Sequence, residues 1–332
     1  MTTLRRRDLH RLALGLGAGA ALPVRAAEGR AAPPWPSRPV HLIVVYPPGG
    51  VSDAMARALA EPLSKVLGVP VLTENRPGAG GRVGIDTLAR AAPDGHTIAF
   101  SAIKPLTLHP LLSHRAYDPL KAVVPVAGVM NTPVLVVGTP AFDGSRFADV
   151  IAFARDHPGG LRWATSGVAT SGHLVLVQVR AQSGTDITHV PYQGGGPQLN
   201  DALSGQFEVL STNVAPLQLR YIDAGRFRAL AVGAPARVQA LPDVPTLAEL
   251  GYPQANLGSL FGIFAPARTP GAIVQRLNAE INRIVGGQAF AKRLHEAYNL
   301  PAIGSPEAFA QQIDDDRRRS ESLVRTTGIR FD

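Results

Sequence analysis

Cysteine is absent from this chain of 332 residues. That excludes disulfides and thiolate metal sites, and it leaves the compartment open, because many exported bacterial proteins carry no disulfide. Charged residues make up only 17% and aromatics 6%. No basic stripe with interleaved aromatics occurs, which argues against nucleic acid as a partner. The net charge of +8 does not change this, because Arg5, Arg6, Arg7, Arg11 and Arg25, set against Asp8, supply half of it within the first 26 residues. A membrane span needs about 18 apolar residues in a row. The apolar stretch Leu12 to Val24 falls short, and no other segment reaches that length.

What the first residues do contain is an address. Arg5 to Arg7 form a basic start, an apolar stretch follows, and Val24-Arg25-Ala26 offers small residues for cleavage. This pattern predicts a secretory signal peptide over 1–26. Arg6-Arg7-Asp8-Leu9-His10-Arg11 fits a twin-arginine signal. Residues 27–38 read as a flexible leader. The mature protein is expected to be soluble and periplasmic.

Beyond the leader, strand and helix patterns alternate, which predicts α/β structure with parallel sheets. The first series has strands at Val40–Val45, Val69–Thr73 and Thr97–Ser101, with helices at Asp53–Leu67 and Gly84–Ala91. Pro62 is expected to kink or shorten the first helix. Val123–Val129 and Val134–Val137 read as two strands split by Asn131-Thr-Pro133. The second series places strands at Leu161–Ala164, Ile187–Val190, Phe207–Leu210 and Arg228–Val232, with helices at Gly172–Ser183, Pro197–Ser204, Leu217–Ala224 and Pro245–Leu250. A strand at Ser259–Ala265 precedes helices near 270–286 and 288–298. A last helix has Ser305 as N-cap and Pro306 at N1 and runs to Thr327. Its Asp314-Asp-Asp-Arg-Arg-Arg319 block reads as a solvated face. Two lobes follow: 39–132 with the return segment 259–332, and 133–258 between them.

Sites in such folds lie at the carboxyl ends of strands. In the first lobe that place is Tyr46-Pro-Pro-Gly-Gly-Val-Ser-Asp53, a tight loop opening a helix that Ser52 or Asp53 can cap. In the second it is Thr165-Ser-Gly-Val-Ala-Thr-Ser-Gly-His173. Free amides, hydroxyls and positive helix ends suit a carboxylate or phosphate. The candidate contacts are Tyr46, Gly49, Gly50, Val51, Ser52 and Asp53 in the first loop. In the second they are Thr165, Ser166, Thr170, Ser171 and His173. Ser101, ending the third strand, and Asn213, after the Phe207–Leu210 strand, complete the set. Asp53 suits either capping of amides or an ammonium group on the ligand; His173 suits either a structural or a cleft role.

The same residues carry a resemblance. Tyr46–Asp53, Glu74-Asn-Arg-Pro-Gly-Ala-Gly-Gly81, Ala92-Pro-Asp-Gly95, Tyr117-Asp-Pro119, Ala164-Thr-Ser-Gly167, His189-Val-Pro-Tyr-Gln-Gly-Gly-Gly-Pro197, Val244-Pro-Thr246 and Ala265-Pro-Ala-Arg-Thr-Pro270 stand in the order found in Bug-type receptors of tripartite tricarboxylate transporters. The chain resembles that family over nearly all of its mature length. The resemblance implies a type II periplasmic-binding-protein fold, two α/β lobes around a ligand cleft joined by hinge strands. It also implies a small carboxylate ligand (a di- or tricarboxylate, an aromatic acid or an acidic amino acid) and membrane transporter subunits, or a sensor protein, as partners. The chain is expected to act as a monomer without a cofactor, metal or catalytic residue. It departs from the family's pattern at Arg82, Lys104 and His109. Lys104 reads as a surface lysine or, if turned inward, as a partner for a second carboxylate.

Other chemistries fit poorly. Gly78-Ala-Gly-Gly-Arg-Val-Gly84 has Val83 in the third glycine place of a dinucleotide fingerprint, so it reads as a structural turn. Neither Ser166 nor Ser171 has the glycine flanks of a hydrolase elbow. The nine histidines show no zinc-ligand spacing.

Overall fold

In the computed structural model the described residues are 34–112 and 118–328. The expected signal peptide, 1–26, and most of the expected leader, 27–38, lie outside them. The first lobe opens with β1 (Val40–Val44), α1 (Val51–Leu67), β2 (Val71–Asn75), α2 (Arg82–Ala89) and β3 (Thr97–Ala102), then two single turns, α3 (Lys104–Thr107) and α4 (His109–Leu112). The long strand β4 (Val123–Gly138) leads into the second lobe. That lobe comprises α5 (Phe147–Asp156), β5 (Arg162–Thr165), α6 (Ser171–Ser183), β6 (Thr188–Pro191), α7 (Gly195–Leu203), β7 (Val209–Asn213), α8 (Pro216–Asp223) and β8 (Arg228–Gly233). β9 (Gly258–Pro266) returns to the first lobe, where α9 (Gly271–Val285), α10 (Gln288–Glu296), β10 (Leu300–Pro301) and α11 (Pro306–Thr327) complete it.

The strands run β2-β1-β3-β9-β4-β7-β5-β6, with β8 and β10 also on β4. β1 pairs in parallel with β2 and β3, and β5 with β6 and β7, whereas β4 and β9 run antiparallel to their neighbours. Period-two alternation sends side chains to both faces of each sheet. Val40, Leu42 and Val44 of β1 join one apolar core with α1 and α9; Ile43 and Val45 join another with α2 and α11. In the second lobe Val134 and Val136 of β4 pack on one side, and Leu135 and Val137 on the other. Sheets covered on both faces explain why the strands read as nearly continuous apolar runs.

Three expectations change. Residues 123–138 form one strand, not two. Pro133 interrupts nothing because it stands where the ladder changes partners: it faces Gly258 of β9, and Val134 already faces Asn213 of β7 and Gly233 of β8. Pro62 lies inside α1 without shortening it, and the helix closes only at left-handed Gly68. Buried Leu59, Leu63 and Leu67 hold that helix on the sheet, and tertiary packing outweighs a cost of ~3 kcal/mol. Residues 245–250 form turns rather than a helix. One helix, α5, is an addition to the expected elements. Ser305 caps α11 as expected, accepting from the Ala308 amide at 3.2 Å.

Candidate ligand-binding site

A cavity of about 300 Å³ lies between the lobes, and both expected loops line it. Tyr46, Gly49, Gly50, Val51 and Ser52 come from the first lobe; Ser166, Thr170, Ser171 and Asn213 come from the second. The N-terminus of α1 therefore faces the N-terminus of α6 across one space. α1 is capped by Gly50, not by Ser52 or Asp53, and has no side-chain cap. Its first-turn amides stay available to a ligand. Thr170 caps α6, accepting from the His173 amide at 3.3 Å and donating to Gly167 O at 2.8 Å. Ser171 is 4% exposed, and its Oγ meets no protein partner.

Four candidates do not line the cavity. Asp53 Oδ1 accepts from Arg57 Nε (3.0 Å) and Asn75 Nδ2 (2.9 Å), and its Oδ2 accepts from the Gly49 amide (3.2 Å). Burial alone would raise this carboxyl, but these hydrogen bonds hold it below its ordinary range. Asp53 thus fixes the loop. Ser101 is fully buried and donates to Ala102 O. Thr165 Oγ1 bonds Gly167 O and His189 Nε2 (2.8 Å), which shapes the second loop from below. His173 accepts from the Ala169 amide at 3.1 Å and stacks on His189, ring centroids 4.3 Å apart. Burial lowers His173 to about 3 and His189 to about 4, so both rings are neutral at pH 7.

Lys104 is not a surface residue. It is 5% exposed, lines the cavity, and donates to both oxygens of Asp316 at 2.8 and 3.0 Å. Thr107 Oγ1 reaches the same carboxylate at 2.6 Å. Asp316 belongs to the block expected to be a solvated helix face; it is 7% exposed, because α11 turns it toward α3. His109 is buried as well, and burial followed by the Arg82 charge lowers it to about 4.

Two further helix starts reach the cavity. Gly195 belongs to α7, capped by Gly194, and Gln218 and Arg220 belong to α8, capped by Ala215; neither helix has a side-chain cap. Thr212 of β7 also lines it. The available signal was the strand-end rule itself. Applied to β6 and β7, it leads to Gly194-Gly-Gly196 and to Ala215-Pro216. The lobes touch at the cleft mouth, and only glycine fits there. A Cβ on Gly194 would lie 2.4 Å from Pro47 Cδ, and one on Gly80 would lie 2.4 Å from Val168 O.

The family model described as "Tripartite tricarboxylate transporter family receptor" matches residues 55–329. The chain belongs to this receptor family. Protein BugT of Bordetella pertussis is 35% identical over 316 residues, covering 95% of both chains. Among solved structures, Rpa4515 of Rhodopseudomonas palustris with adipate superposes with a TM-score of 0.84 at 31% identity, covering 89% of this chain and 99% of that one. MatC of Rhodopseudomonas palustris with bound malate gives 0.82 at 30% identity, covering 87% and 99%. The type II periplasmic-binding-protein fold inferred from the resemblance is therefore the fold of this tricarboxylate-receptor homologue, two lobes about a cleft. No helix among the described residues is long and apolar enough to cross a membrane.

Proposed function

We propose that this protein is a periplasmic receptor that captures a small carboxylate between its lobes and presents it to membrane subunits of a tripartite transporter. One observation carries the reading: a single cavity is lined from opposite lobes by uncapped helix starts and hydroxyls. The relatives solved with adipate and malate, both carboxylates, support it. The N-terminal signal accounts for export and is removed afterwards. No bond is made or broken. The two moving bodies are 39–132 with 259–332, and 133–258; they turn about the crossing strands near 131–136 and 257–263. A ligand bridging both gives the closed form contacts that the open form lacks, so binding favours closure.

The test is thermal unfolding of the purified protein against a panel of di- and tricarboxylates and aromatic acids. An acid present at 100 times its Kd adds about 2.7 kcal/mol of stability and raises the melting temperature. A flat response across the whole panel would contradict the proposal.

A further inference from the structure

Three described residues other than glycine hold a positive φ: Ala79 (46°), Ala169 (60°) and Tyr298 (55°). A side chain makes that conformation costly, and it persists only where the surroundings compensate it. All three stand where the lobes meet. Ala79 precedes Gly80, where a Cβ would lie 2.4 Å from Val168 O. Ala169, in the loop of the second lobe, shares an apolar cluster with Leu108 and Leu112 of the first. Tyr298 differs from both in carrying a large side chain.

Tyr298 closes α10. Its amide donates to His295 O at 2.9 Å, and the Asn299 amide donates to Leu294 O at 2.8 Å. This pair of bonds ends many helices, and the left-handed place between them is ordinarily a glycine. Helix closure alone would be served better by glycine, so the tyrosine calls for a second reason. Its packing supplies one. By chain position Tyr298 belongs to the return segment of the first lobe, yet it packs against the apolar core of the second, the core of Leu135, Leu210 and Val214. Every other described apolar residue in or against that core lies within 133–258. Tyr298 does not line the cavity, but Ala297 before it does, and Leu300 after it pairs with Asn131 in the crossing part of β4.

A contact whose two ends belong to different moving bodies changes when those bodies turn. Resting on the lobe closure proposed above, we propose that Tyr298 is a positioning residue for closure. Its ring, docked on the second lobe, holds the form in which the cleft is shut, and the left-handed backbone is the geometry that presents it. Tyr298 acts on affinity without touching the ligand. Losing it lowers the fraction of closed chains and weakens every ligand by one common factor.

Two measurements on the purified protein and its variants test this: titration with malate, adipate and citrate, and small-angle X-ray scattering without ligand. Tyr298→Gly removes the contact and the strain together, so it is expected to stay folded, with an unliganded melting temperature near that of wild type. Where wild type is mostly open, it should weaken each acid that binds by the same ~10-fold; where wild type is mostly closed, it should enlarge the radius of gyration. Tyr298→Ala keeps the strain without the ring; it should melt lower than the glycine variant and show the same loss of closure. Tyr298→Phe keeps the ring and should match wild type. A glycine variant equal to wild type in both affinity and radius of gyration would reduce Tyr298 to a helix end and overturn the inference, while the receptor reading stands on the wild-type titration. If no acid binds wild type, the receptor reading falls and the scattering alone decides the role of Tyr298.

Discussion

Lys104 shows how one side chain can line a ligand cavity and still be structural. Its ammonium meets Asp316 at 2.8 Å with both residues buried. Removing one member of such a pair strands the other charge, which costs about 3–5 kcal/mol. Asp316→Ala is therefore expected to lower the free energy of unfolding in urea by that amount, and Lys104→Met with Asp316→Leu should recover most of it. A loss under ~1 kcal/mol would mean that water from the cleft already satisfies Lys104. Ser52 and Ser166 behave differently: both line the cavity, from opposite lobes. Their joint replacement by alanine is expected to weaken carboxylate binding ~10- to 100-fold while the unliganded melting temperature stays put. Equal affinity in titration would mean that other groups grip the anion. The stacked histidines predict a pH dependence. Burial lowers His173 to about 3 and His189 to about 4, whereas in the unfolded chain both titrate near 6.5. The unfolded state takes up protons first as the medium acidifies, so stability is complete above about pH 6.5 and declines as pH falls toward 4. His189→Gln should flatten that acid limb in thermal unfolding scans; an unchanged limb would place its origin elsewhere.

Among the elements, strand β4 and the glycine-rich helix starts do most to place the site. β4 pairs with β9 up to Pro133 and with β7 and β8 from Val134, so one strand belongs to both lobes. From the sequence Pro133 reads as a break, because the missing N–H is visible and the change of ladder partner is not. The strand-to-helix loops at 46–53 and 165–173 were legible because apolar runs end there in glycine and hydroxyl residues. Gln218 and Arg220 were not, since nothing in α8 alone shows which way it faces. Which of the two readings of Lys104 holds was hidden for a related reason: the carboxylate that pairs with it lies 212 positions away. Nor does the sequence show that glycines at the cleft mouth are held by contact between lobes. Gly194→Ala would place a Cβ 2.4 Å from Pro47 Cδ. Such a clash exists only when the lobes meet. The substitution is expected to weaken ligand binding at least ~10-fold while the fold persists, because it penalises the closed form selectively. Gly194 also stands at φ +135, so the alanine is strained in the open and closed forms alike. Adding Pro47→Ala, which removes the clashing ring atoms and leaves that strain in place, is expected to restore most of the affinity; affinity that stays low in the double variant would remove the role given to Gly194.

At the scale of the whole molecule, alternating strand and helix patterns were enough to read an α/β fold of two lobes, because each lobe is buried on both sheet faces and its strands stay uniformly apolar. The cleft is a property of neither lobe alone. It arises where helix starts from both converge on about 300 Å³ lined by residues of both lobes. The measurement that tests this most directly is a crystal structure of the protein with the acid that raises its melting temperature most. The account predicts one acid per chain, its carboxylate within hydrogen-bond distance of Ser52 in the first lobe and of Ser166 or Ser171 in the second. An acid held by one lobe only, or bound outside this cavity, would contradict it.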